Sequence, residues 1–161
     1  MVKLEVVEIS KPEEVNMVLG MTHFIKSIED IYEAVADSAP GAKFGVAFCE
    51  ASGPKLIRKA GNNSELVDMA VKNAEKIGVG HSFLIMLKGV YPINILPRLR
   101  QVPEIVSIIA ATANPLQVVI AETEQGRGIM GVIDGGSPAG VENQKEEAER
   151  KEFLRKIGYK L

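Results

Sequence analysis

Apolar and polar positions alternate along some stretches of the 161-residue chain and recur every three or four residues along others. Val2 to Ile9 has the period-two pattern of a half-buried strand, and Val15 to Gly20 after the Pro12 turn predicts a second. Ser27 reads as an N-cap with Asp30 three residues on, and Ile28, Ile31, Tyr32 and Val35 recur at helical spacing. An amphipathic helix is therefore expected from Ser27 to about Ser38, stopping before Pro40. Phe44 to Cys49 and Ser82 to Leu87 are short continuous apolar runs, the signature of strands buried on both faces. Between them, Ser64 is the expected cap of a helix that presents Leu66, Met69, Ala70, Ala74 and Ile77 on one side and ends at Gly78.

Ile93 to Arg100 predicts a helix that Pro97 shortens or bends. Three strands are expected next, at Ile105 to Ala111, Gln117 to Glu122 and Gly128 to Ile133, with Thr123 to Arg127 as a hairpin loop. A charged helix from about Asn143 to Ile157 closes the chain, with Ala148, Phe153, Leu154 and Ile157 as its docking side. Strand–helix–strand units followed by a hairpin predict an α/β layered domain over 1–161, with a mixed sheet covered on both faces.

Composition narrows the class. The chain is 46% hydrophobic and 25% charged, with a net charge of −2. Nothing in that balance favours nucleic acid or an anionic membrane as a partner. Cys49 is the single cysteine, so an intramolecular disulfide is excluded, and its apolar surroundings predict a buried, inert thiol. No signal-peptide pattern opens the sequence, and the apolar runs near Phe83 and Ile108 are too short to span a bilayer. A cytoplasmic protein is expected.

Candidate chemistry lies where polar breaks interrupt apolar strands. Thr22, His23, Lys26 and Ser27 gather a histidine, a lysine and two hydroxyls at an expected helix N-terminus, where free backbone N–H groups and the helix dipole favour an anion. Imidazole is also a nucleophile near neutral pH, which points to phosphate chemistry. Glu50, Ser52 and Gly53 follow one buried strand; Glu50 suits a sugar hydroxyl or a general base, Ser52 and Gly53 a phosphate, and the segment serves equally as a polar turn. Asp134, Gly135, Gly136 and Ser137 open a loop with three glycines in seven positions, which lets a backbone approach a phosphate closely but matches no nucleotide-binding fingerprint. Asn114 offers an amide to an adenine edge, Arg127 a guanidinium to a phosphate, and His81 a second imidazole; ordinary turn, hairpin and packing roles stand beside each. No metal-ligand spacing is evident. The expectation is that these separated breaks converge on one ligand.

Taken together the motifs carry a resemblance. His23-Phe24-Ile25-Lys26-Ser27 with Glu29 to Ala34, then Phe48 to Pro54, Gly78-Val79-Gly80-His81 and Ala111 to Pro115 resemble the adenosine-specific kinase family of small archaeal and bacterial proteins. So do Gly126-Arg127-Gly128, Val132 to Pro138 and the ending Ile157 to Leu161, and the similarity runs from about Asn16 to Leu161. The resemblance implies a three-layer α/β/α fold, a homo-oligomer, and binding of adenosine and AMP. It further implies a phosphorylated histidine, carried onto His23 with His81 as runner-up. ATP with Mg²⁺ would phosphorylate the imidazole, and the group would pass to the ribose 5′-hydroxyl of adenosine without any tightly bound organic cofactor. Lys26 would neutralise the moving phosphoryl group, Asp134 or Glu50 would take the hydroxyl proton, and the other loop residues would hold base, ribose or phosphate. An adenosine- or AMP-binding sensor without turnover is the alternative, motivated by the lack of a recognised ATP motif.

Overall fold

The apolar runs become the centre of the molecule, and both of their faces are covered. A computed structural model describes residues 1–161 as eight strands and four helices. These are β1 (Lys3–Glu8), β2 (Asn16–Thr22), α1 (Ser27–Ser38), β3 (Lys43–Cys49), β4 (Ile57–Gly61) and α2 (Ser64–Ile77). There follow β5 (Ser82–Lys88), α3 (Pro92–Leu99), β6 (Ile105–Thr112), β7 (Leu116–Glu122), β8 (Arg127–Asp134) and α4 (Gln144–Lys156).

Five strands form one sheet in the order β4-β3-β5-β2-β6, and β1-β7-β8 form another. Alternate side chains of β5 enter different cores, as the two-residue period of a strand requires. Phe83, Ile85 and Leu87 join Ile31, Val35, Ile95 and Leu99 of α1 and α3. Leu84 and Met86 join Leu66, Ala70, Ala74 and Ile77 of α2, together with Val7, Val118 and Ile120 of the smaller sheet. The result is an α/β fold in three layers: α1 and α3, the five-stranded sheet, then α2 beside the second sheet.

The expected mixed sheet resolves into two sheets whose ladders are all antiparallel. Alternation of strands and helices suggests parallel pairing, but each crossover here skips a strand, so β2 and β3 lie on either side of β5. The strand β4 had no apolar signal: Arg58 and Lys59 make it a charged edge strand, paired from Cys49↔Ile57 to Gly45↔Gly61. Two cap assignments also change. Asn63 caps α2 by accepting from the Leu66 N–H at 3.0 Å. At α1 the Ser27 hydroxyl turns inward to Thr22, so Lys26 occupies the N-cap position with no side-chain cap bond. Helix α3 starts on Pro92 and continues past Pro97 by only two residues.

The largest difference is at the C-terminus. Asn143 caps α4 as expected, bonded to the Glu146 N–H at 2.9 Å, but no residue of the helix is buried. Phe153 and Ile157, expected to dock on the body, are 57% and 45% exposed.

Close packing of α2 on β3 depends on Gly45, where a Cβ would meet the backbone of Leu66 and Val67 directly. Gly45→Ala forces backbone apart within the core and is expected to cost about 2 kcal/mol or more, read as a lower urea midpoint without loss of m-value.

Candidate nucleotide site

Antiparallel pairing on both sides of β5 brings the ends of β2 and β3 to the same edge of the sheet as the start of β5. His23 follows β2, Glu50 follows β3 and His81 precedes β5. The start of β6 arrives there too, because Thr22 pairs with Ile105. One residue ties the strand ends together: the His81 N–H donates to the Cys49 carbonyl at 2.7 Å, and its carbonyl accepts from the Thr22 N–H at 2.8 Å. To make both bonds His81 adopts φ 67°, in the left-handed region where a non-glycine residue is strained. Its ring stacks on Phe48, centroids 6.1 Å apart.

His23, His81, Glu50, Ser52 and Gly53 line one cavity of about 270 Å³, walled by Phe24, Ile25, Phe48 and Pro54. Across Glu50 and Ala51 it adjoins a larger space of about 840 Å³, lined by Lys55, Gly80 and the Gln125–Gly128 hairpin. His23 is exposed, and its Nδ1 lies 2.8 Å from the carbonyl of Glu104. A carbonyl only accepts, so Nδ1 carries a proton, and in the neutral ring Nε2 is the nitrogen with the lone pair.

Charge around the cavity is already paired. Lys26 Nζ lies 2.7 Å from Glu104 Oε1 and 2.9 Å from Asp30 Oδ2. Hydrogen bonding to Glu104 and then to Asp30 holds the Lys26 ammonium well above its usual range. The Asp30 carboxyl is held below its own, first by Lys26 and then by Glu104. Glu50 Oε1 accepts from Arg58 Nε at 3.0 Å, while Oε2 is buried without any partner. Lys55, in the turn closed by its N–H to the Ser52 carbonyl at 3.1 Å, makes no ion pair. It was missed in the sequence, as were Arg58 and Glu104. A buried Glu104 has no local signature, because its counter-charge comes from a helix start far away in the chain.

The other expected residues lie outside that cavity, although Arg127 lines the larger space beside it. Thr22 is buried, its Oγ1 2.6 Å from Ser27 Oγ. Arg127 is a clamp between the second sheet and the end of α2, donating to the Ile77 carbonyl at 3.0 Å and to Glu5 and Glu122 at 2.9 Å each. Asn114, Asp134 and Gly135 form a second cluster at the opposite end of β2. There Asp134 accepts from the Thr112 hydroxyl at 2.7 Å, and Lys11 donates to the Ala113 carbonyl at 2.9 Å. Asn114 packs over Gly135, whose φ of 65° and lack of a Cβ permit the approach. Gly136 and Ser137 lead from there into the exposed C-terminal segment. Because Thr112 pairs with Met17 and Ile105 with Thr22, the two clusters are separated by the length of the strand, roughly 17 Å at about 3.3 Å per residue. The expected convergence on one ligand does not occur within a single chain.

Fold and site define the class: a small layered α/β protein with a two-histidine cavity beside a buried, half-satisfied carboxylate. The sequence model of the adenosine specific kinase family matches residues 7–160, and the chain belongs to that family. It is similar at 44% identity to the PH1918 protein of Pyrococcus horikoshii OT3, whose crystal structure superposes with a TM-score of 0.96 over 100% of this chain and 99% of that one. No curated protein matches the sequence.

Two outcomes test this geometry. Since strain at His81 disappears with glycine, His81→Gly is expected to match or exceed wild-type stability, while His81→Ala loses about 1 kcal/mol relative to it; urea unfolding of the pair measures the difference. The Lys26 ion pairs contribute from above the ordinary aspartate pKa of 3.8 to the ordinary lysine pKa of 10.5. A depressed carboxyl loses its contribution as pH falls through its lowered value, and a raised ammonium only at still higher pH. Lys26→Met should therefore lower the urea midpoint at pH 7, with the gap to wild type narrowing below pH 4.

Proposed function

We propose that the chain is a cytoplasmic homo-oligomeric phosphotransferase, one adenosine-specific kinase-like domain that moves a phosphoryl group from ATP to adenosine through a phosphohistidine at His23. The observation that carries the reading is the pairing of both histidines in one cavity, with Nδ1 of His23 held by a carbonyl. That bond leaves Nε2 as the nucleophile. In the first step the Nε2 lone pair forms a bond to the γ-phosphorus while the bond to the ADP oxygen breaks. In the second the 5′-oxygen of adenosine attacks the same phosphorus, the N–P bond breaks, and the hydroxyl proton passes to Glu50. Glu50 Oε2 is the partnerless acceptor on the cavity wall, whereas Asp134 stands at the far end of the sheet.

No three His, Cys, Asp or Glu side chains are grouped to hold a metal. Mg²⁺ would then come bound to the phosphates of ATP and screen their charge. Lys26 is engaged by two carboxylates, so Lys55 is the cation free to meet the incoming phosphates. Ser52, Gly53 and the backbone of their loop offer N–H groups to the same oxygens. His81 borders the acceptor, and Asn114 and the Gly135-Gly136-Ser137 loop reach a nucleotide only from a neighbouring copy.

Incubation with γ-labelled ATP is expected to give acid-labile protein phosphate that adenosine discharges as labelled AMP. His23→Ala should abolish the label and slow AMP formation about 1,000-fold or more; AMP made at the normal rate by that variant would remove the covalent route. Glu50→Gln should keep the protein label but slow its discharge to adenosine. Tight AMP binding by calorimetry without any transfer would favour a sensor, and phosphate release independent of adenosine a hydrolase.

A further inference from the structure

One buried acid is left without a task by the reaction described above. Glu104, in the link between α3 and β6, is only 3% exposed. Its Oε1 lies 2.7 Å from Lys26 Nζ, and its Oε2 is buried with no hydrogen-bond partner. Glutamates are seldom buried this far unless paired. Stability is a weak reason to keep such a pair, because the cost of desolvating a buried charge offsets much of the attraction. Here the gain is smaller still, since the Lys26 side chain is 51% exposed.

The position of Glu104 supplies a different reason. One residue meets both ends of the segment His23-Phe24-Ile25-Lys26: its carbonyl accepts from His23 Nδ1 at 2.8 Å, and its carboxylate holds Lys26. His23, Phe24 and Ile25 are all exposed, and the Glu104 carbonyl is the one hydrogen-bond partner of the His23 ring. Glu104 itself sits in a tight turn, closed by the Ile105 N–H donating to the Val102 carbonyl at 3.2 Å. That turn sets the direction of the carbonyl but not its distance from a separate helix start. The ion pair sets the distance, because Lys26 is the N-cap residue of α1. Asp30, one helical turn on and 2.9 Å from the same ammonium, keeps Lys26 on its helix.

We propose that Glu104 is a positioning residue for His23: held by Lys26, it keeps its own carbonyl against Nδ1 and so fixes the tautomer that leaves Nε2 unprotonated. Either nitrogen of a neutral imidazole can carry the proton, and the bond made by one decides the state of the other. The opposite tautomer would set the Nδ1 lone pair against a carbonyl oxygen, where the two repel. Lys26 therefore serves the site through Glu104, without touching a phosphate. The use of Nε2 as a nucleophile rests on the phosphohistidine reading above; the hold on the ring does not.

The test reads the ring directly, by long-range proton–nitrogen NMR correlation on the full ¹⁵N-labelled chain, without nucleotide and at a pH where imidazole is neutral. His23→Ala assigns the signals, because His81 is the only other histidine. Wild type is expected to show His23 protonated at Nδ1. The variants are Glu104→Gln, nearly the same shape without the charge, and Lys26→Met, at a half-exposed position, with circular dichroism confirming folding. Both keep the backbone carbonyl, so only its displacement can change the ring. In each, the ratio of Nδ1–H to Nε2–H tautomer should fall about tenfold, the change that losing one ordinary hydrogen bond produces. Either variant keeping the wild-type ratio, or a wild type already divided between tautomers, would overturn the proposal. A protein that takes no label from ATP, yet loses the tautomer in both variants, would sink the kinase reading alone.

Discussion

The peptide of His81 holds the site in place. Its N–H reaches the end of β3 and its carbonyl the end of β2, so the strand ends that carry Glu50 and His23 are fixed to one residue. Two short backbone bonds, 2.7 and 2.8 Å long, offset the strain of a positive φ at a residue with a side chain. The antiparallel order β3-β5-β2 makes the arrangement possible. Because β5 runs against both neighbours, the loop entering it lies between the two ends leaving them. Parallel crossovers would have sent these loops to opposite poles.

Around that framework the ionic groups are committed in advance. Lys26 bridges Glu104 and Asp30, Arg58 holds one oxygen of Glu50, and Arg127 spans the seam between the second sheet and α2. Each cation therefore organises backbone or orients a carboxylate. What remains open is small: one imidazole nitrogen, one buried oxygen each of Glu50 and Glu104, and the ammonium of Lys55. A ring nitrogen and a carboxylate oxygen with fixed surroundings lose little entropy when a ligand arrives, which is the physical basis of preorganisation.

The division of the candidate residues into two clusters has a structural cause. Strand β2 lies inside the sheet, between β5 and β6, and its two ends carry different loops. The glycine-rich turn at Asp134 belongs to β8, which feeds directly into the C-terminal arm. The chain therefore sends its second cluster, and the unburied arm after it, away from its own histidines.

Local pattern alone specified most elements. Period-two alternation at Val2 to Ile9, apolar runs at Phe44 to Cys49 and Ser82 to Leu87, and the 3.6-residue stripes of α1 and α2 all follow from which faces must leave water. So did the chemical character of His23, Glu50 and His81, since imidazole and carboxylate at polar breaks are visible in one dimension. Strand order was not legible, because hydrophobic period reports burial and is blind to which neighbour supplies the hydrogen bonds; β4, charged and short, left no trace for the same reason. Nor were the partners of Lys26, Arg127 and Glu104 legible, since ion pairs between residues distant in sequence exist only after the chain has folded. Only the tertiary structure decided that two histidines share a cavity while Asp134 does not reach it, and that the face of α4 meant for docking finds nothing on its own chain.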